Sequence, residues 1–234
     1  MLNILRSNQE YNNNLKKYTK KDGLLALLLF VIMTFFIIIQ GVLYVKVDFV
    51  RDNSRLVSGV FYFLMIIITL FFILIRKQDL DTIGFGGRWK LSLLIGGLLS
   101  LIYFYNNCLS HLMNGEKMIP FPEVVSLAIF YFFVAFGEEI VFRCYINTRL
   151  YGLIKNKFVV LIVTGVLFVV MHFPYRMIAY GMTLSDLTIN NMSWIINVFV
   201  FHFMLSFIYM KTNSIFGIII PHWISDLAYA IVLK

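Results

Sequence analysis

The chain has 234 residues, of which 60% are hydrophobic and 17% aromatic, and it carries a formal net charge of +8. A mean hydropathy of +0.84 excludes an ordinary soluble domain, whose apolar share is about 45–50%, and points to an all-α, polytopic transmembrane helix bundle. Two cysteines, Cys108 and Cys144, are too few for a disulfide framework, and without a soluble domain behind it the positive charge is not read as a nucleic-acid surface.

Residues 1–22 are polar and rich in Asn and Lys. They lack an apolar core followed by a small-residue cleavage site, so no cleavable signal peptide is expected. Their lysine pairs read as a topology signal and an anionic-lipid contact on a cytoplasmic N-terminal segment. Residues 23–234 then read as one transmembrane domain, since no period of 20–50 residues repeats. Apolar runs at 24–45, 56–75, 91–111, 121–148, 158–173, 193–210 and 214–232 predict about seven spans. The run 158–173 is short and must borrow flanking residues, and Asn106, Asn107 and His111 make the second half of 91–111 polar enough for an interfacial segment. With the N-terminus inside, the inside segments hold 14 Lys and Arg against 6 outside. The positive-inside rule therefore predicts Met1 in the cytoplasm and Lys234 outside.

One apolar run breaks the pattern. Residues 131–145, YFFVAFGEEIVFRCY, place Glu138, Glu139 and Arg143 among aromatic and aliphatic side chains. A charge at bilayer depth costs at least about 2.5–3.5 kcal/mol, so three together need a reason. Glu139 and Arg143 stand four apart, acid first, the favourable order for a helix pair. Glu138 is left over, about 100° round the helix from Glu139, and needs a partner on another helix. Two later runs offer one: FVVMH, from Phe168 to His172, and HWISD, from His222 to Asp226. Measured along their helices at 1.5 Å per residue, Glu138, His172 and His222 lie about 18, 21 and 15 Å from the inner ends, which is similar depth.

The recognisable intramembrane hydrolase signatures are missing. There is no H-E-x-x-H, no G-x-S-x-G, and only one intramembrane aspartate, Asp226. A glutamate and two histidines remain.

Glu138-Glu139 with Arg143, Phe168 with His172, and His222 with Asp226 resemble, in order, the motifs Glu-Glu-x-x-x-Arg, Phe-x-x-x-His and His-x-x-x-Asn/Asp. These are the motifs of the CAAX proteases and bacteriocin-processing enzymes, the Abi family of intramembrane endopeptidases. Residues 80–85, LDTIGF, are similar to a short Leu-Gly-type segment upstream in that family. The resemblance implies an endopeptidase with Glu138 and His172 activating a water and His222 and Asp226 stabilising the oxyanion. It implies for Glu139 and Arg143 an orienting role, on the helix or on the substrate's backbone or C-terminal carboxylate. It implies no cofactor, with a zinc ion on Glu138, His172 and His222 as the alternative chemistry. Implied partners are the lipid bilayer and a peptide or protein substrate: a bacteriocin leader, a peptide pheromone or a prenylated C-terminus. The size and the Lys/Asn/Ile-rich composition fit a bacterial cell membrane. The alternative function is a bacteriocin self-immunity protein of the same fold, without enzymatic activity. A transporter would also bury Glu, Arg and His, but it predicts inverted repeats or broken helices, and neither stands out.

Other polar and aromatic residues take plainer readings. Phe168 reads as packing and His202 as a helix-to-helix hydrogen bond. His111 and Glu123, near membrane ends, receive no role. Trp89, Trp194 and Trp223 read as interface or packing aromatics, with Trp223 beside His222.

Overall fold

A computed structural model describes residues 7–233; Met1 and Lys234, the two ends in the topology expectation, lie outside the described residues. Helix α1 (Gln9–Lys17) is followed by α2 (Lys20–Lys46), α3 (Ser54–Ile75) and α4 (Trp89–Phe104). Then come α5 (Phe121–Glu138), α6 (Lys157–Met171), α7 (Phe173–Tyr180), α8 (Met192–Thr212) and α9 (Phe216–Ala230). Two short strands, β1 (Lys117–Met118) and β2 (Val232–Leu233), pair antiparallel. The chain is an all-α polytopic bundle.

Among the described residues, six continuous helical runs are long and apolar enough to cross a membrane: Lys20–Lys46, Ser54–Ile75, Trp89–Met113, Phe121–Gly152, Lys157–Ala179 and Met192–Thr212. The short run at 158–173 reaches spanning length by continuing through α7. The run at 91–111 stays helical past its asparagines, where Asn107 donates to the Ser225 carbonyl at 3.4 Å. The run at 214–232 forms only the 15-residue α9, about 22 Å long against a hydrocarbon core of about 30 Å.

Sequence-local chemistry sets the helix starts. Asp22 accepts from the Thr19 backbone N–H at 2.8 Å and hydroxyl at 2.7 Å, closing the first turn of α2 as a reciprocal cap. The same carboxylate accepts from Arg76 and Gln78, both at 2.9 Å, which ties α2 to the end of α3. Asn156 accepts from the N–H groups of Phe158 and Val159 at the start of α6.

The connections expected inside gather at one end. Arg149, fully buried, donates to Gln78 and Thr82 at 2.8 Å each and lies between the rings of Tyr18 and Tyr145. Asn8 donates its backbone N–H to the Met210 carbonyl at 2.8 Å, and Arg88 does so to Thr212 at 2.8 Å. Residues 80–85 belong to this end: Gly84, at φ +88°, accepts the Ile215 N–H at 3.0 Å and so docks the start of α9. At the opposite end lie the Arg55–Glu123 ion pair at 2.9 Å, the β1–β2 pair and α7.

α9 is pressed against α4 through glycine. A Cβ on Gly217 would collide with the Ser92 backbone, and one on Gly96 with Gly217, so small residues let the two backbones meet. The Ser92 hydroxyl accepts the Gly217 N–H at 2.9 Å. That contact sets the height and rotation of α9, and therefore of His222.

Candidate active site

The helix that begins as α5 changes winding where the charges sit. Residues Glu139–Ile146 form a π-helix, all of them buried, in place of the regular helix assumed from the i, i+4 spacing. Wider turns of this kind recur at functional sites. Glu139 and Arg143 still meet, Arg143 Nη1 standing 3.1 Å from Glu139 Oε1 with neither side chain exposed. The guanidinium lies 4.0 Å over the ring of Phe168, so Phe168 closes the site electrostatically as well as by packing.

Glu138, the last residue of α5, faces away from that pair. Its Oε1 accepts from the Tyr62 hydroxyl of α3 at 3.0 Å and lies 4.0 Å from His172 Nε2. Its Oε2 lies 3.8 Å from His222 Nε2. Tyr62 comes this close because residue 137 is glycine: a Cβ there would stand 3.1 Å from the Tyr62 ring.

Both imidazoles are oriented through Nδ1. His172 Nδ1 is 2.7 Å from the Phe168 carbonyl, an acceptor only, so it carries the hydrogen and Nε2 is turned toward Glu138. His222 Nδ1 is 2.6 Å from Glu139 Oε1 and donates to it, leaving Nε2 between Glu138 and Asp226 Oδ2, the latter at 3.5 Å. Phe201 packs edge-on to His222 and Trp194 edge-on to His172. Four helices thus deliver Tyr62, Glu138, His172 and His222 to one point, with Glu139 and Arg143 behind His222.

The six residues singled out from the sequence all converge here. His111 does not; it pairs with Glu116 at 2.9 Å. His202 hydrogen-bonds Ser206 at 3.3 Å and stacks near Phe168. Trp223 donates to the Ala128 carbonyl at 2.8 Å, a packing contact between α9 and α5. Tyr62 was missed, because a tyrosine within the apolar run 56–75 has no local mark of chemistry.

A cavity of about 560 Å³ reaches the site, with Glu138 and His172 in its lining. It runs past Tyr62, Ser58 and Gln40 to the end where Arg55, Glu123 and Arg176 lie. Arg143 does not line it.

Residues 120–228 match the family model described as type II CAAX prenyl endopeptidase Rce1-like. Over that stretch the chain is similar to this family. The matched segment, just under half of the chain, contains the three motifs and all six site residues, whereas Tyr62 lies outside it. The match supports intramembrane protease activity in general, and the six apolar helical runs make the chain an integral membrane protein. No curated protein and no solved structure matches.

As to zinc, two imidazole Nε2 atoms and a carboxylate are suitable donor types. Their separations are wider than a closed centre has: donors at about 2.1 Å on a tetrahedral ion stand roughly 3.4 Å apart, against 3.8 and 4.0 Å here. Among the described residues no group of three or more His, Cys, Asp or Glu has metal-holding geometry. A gap of 3.8–4.0 Å instead suits a water that hydrogen-bonds both sides at about 2.8 Å.

Proposed function

We propose that this protein is an intramembrane endopeptidase whose hydrolytic water sits between Glu138 and His172. The observation that carries the reading is that Glu138 and His172 line the inner end of a cavity while His222 Nε2 faces the same Glu138 carboxylate at 3.8 Å. In the reaction, Glu138 takes a proton from the water as its oxygen bonds to the scissile carbonyl carbon. His172, with Nδ1–H committed to a carbonyl, accepts the water's other hydrogen through Nε2 and orients it. The C–N bond then breaks, and the proton held on Glu138 passes to the departing amine.

His222 stabilises the oxyanion as an imidazolium: with Nδ1–H on Glu139, its Nε2–H points to the space between Glu138 and Asp226. Asp226, 3.5 Å from His222 Nε2, joins it with a protonated carboxyl as a second hydrogen-bond donor to the oxyanion. Glu139 and Arg143 act by positioning, because their contacts are with His222 and Phe168.

The proposed substrate is a peptide or lipidated protein that reaches the cavity from the bilayer, in a bacterial cell membrane. With the N-terminus cytoplasmic, the cavity opens on the outer side; a reporter fused after Lys234 that stayed cytoplasmic would reverse this. Purified protein in liposomes should release new N-termini from a peptide mixture, and Glu138→Gln protein should release none. Equal release by both would remove the reading and favour the self-immunity alternative. A second reading, zinc hydrolysis on Glu138, His172 and His222, is favoured only by the donor types; there the ion would polarise the carbonyl and the water.

A further inference from the structure

We propose that Arg176 is the part of the cavity that recognises substrate, taking a carboxylate on the peptide near the scissile bond. The proposal rests on the peptidase reading above and adds the substrate's charge to it.

The cavity lining contains two arginines. Arg55 is already paired with Glu123 at 2.9 Å. Arg176, four residues after His172, has no acidic side chain within 4.0 Å among the described residues; the Trp194 ring lies 3.9 Å from its guanidinium carbon. Trp194 in turn packs edge-on to His172, ring centres 5.6 Å apart. One aromatic residue therefore joins a catalytic imidazole and a cation without a counter-ion. Arg143, the cation named by the motif, has no exposed surface and does not line the cavity.

A guanidinium stacked on indole keeps its face occupied and its N–H edge free. That edge matches a carboxylate in a two-point fork. The ring offsets part of the cost of a half-buried charge, and a carboxylate would complete the pair where little water competes. Residues 172 and 176 are about 6 Å apart along a helix, and an extended peptide advances about 3.3–3.6 Å per residue. Allowing for the arginine's length, the carboxylate falls about two to four residues from the cleaved bond. It can be the peptide's own C-terminus or an Asp or Glu side chain.

The test uses the full chain in liposomes and three dansyl-labelled randomised decapeptide mixtures. The first has a free C-terminal acid and no Asp or Glu, the second a C-terminal amide and one Asp, and the third an amide and no acid. Wild type should show a KM about tenfold or more lower for the first or second mixture than for the third, and which of the two wins identifies the source. Arg176→Gln should erase the difference between mixtures, and Arg176→Lys should keep part of it. Lack of discrimination by wild type, or discrimination that survives Arg176→Gln, overturns the proposal. Binding of the same mixtures to Glu138→Gln protein, read by dansyl anisotropy, separates the two ideas. Carboxylate-selective binding lost with Arg176 supports the subsite even if wild type cleaves nothing, and unselective binding rejects it even if wild type cleaves everything.

Discussion

Glu139 accepts the Nδ1 hydrogen of His222 at 2.6 Å, and this contact links the buried Glu139–Arg143 pair to the second imidazole of the site. The pair therefore serves chemistry through His222: it sets the tautomer and ring angle of a residue on α9 from a π-helical turn that follows α5. Three carboxylates surround one imidazole, and only one of them, Glu138, also faces His172.

Replacing Glu139 by Gln should destabilise the fold strongly, because Arg143 is left charged and buried without compensation; losses of about 3–5 kcal/mol are usual for such a change. Glu139→Gln with Arg143→Met should recover most of the stability while cleavage stays low. Thermal unfolding in detergent and a cleavage assay read the two effects apart. A double variant that cleaves at the wild-type rate would show that His222 does not depend on Glu139.

Glu138→Gln and His172→Ala should each abolish cleavage in protein that still inserts and folds. Since both act on one water, the double variant should be no slower than the worse single one. Losses that multiply would mean that the two residues work at separate sites.

Tyr62→Phe removes one hydroxyl and one hydrogen bond to a carboxylate, at 3.0 Å. The expected loss in kcat/KM is about tenfold or more, with an unchanged folded fraction. Wild-type kinetics in this variant would reduce Tyr62 to a packing residue.

Asp226→Asn should keep most activity, since an amide can donate a hydrogen bond toward the developing oxyanion. Asp226→Ala should lose about 10²–10³-fold, the size of removing one oxyanion donor. If both substitutions are equally inactive in folded protein, the carboxylate itself is required and its role must be redrawn.

Prolonged chelation should leave the purified protein active, and elemental analysis should find no stoichiometric zinc. One zinc per chain whose removal stops cleavage and whose return restores it would establish the ligand role of Glu138, His172 and His222.

Read alone, the sequence determined the membrane class, the helical architecture and the residues that meet at the site. Charges and histidines are expensive inside apolar runs, so Glu138, Glu139, Arg143, His172, His222 and Asp226 stand out wherever the fold puts them. It also located the segments that gather at one end, from Arg76 and Gln78 to Arg149, because connections between spans alternate sides. Only the tertiary structure decided the pairings. His222 bonds Glu139 on another helix at 2.6 Å and stands farther from its own i+4 neighbour Asp226, at 3.5 Å. That depends on how α9 is rotated by its glycine contact with α4, and helix periodicity carries no such information. Tyr62 became visible only when α3 met Gly137, since an aromatic in an apolar run is ordinary until a carboxylate faces it. The same holds for Arg176, which reads from sequence as one more outside charge. Its place in the cavity comes from α7 continuing α6 and from Trp194 packing between it and His172, contacts between helices that lie far apart in the chain.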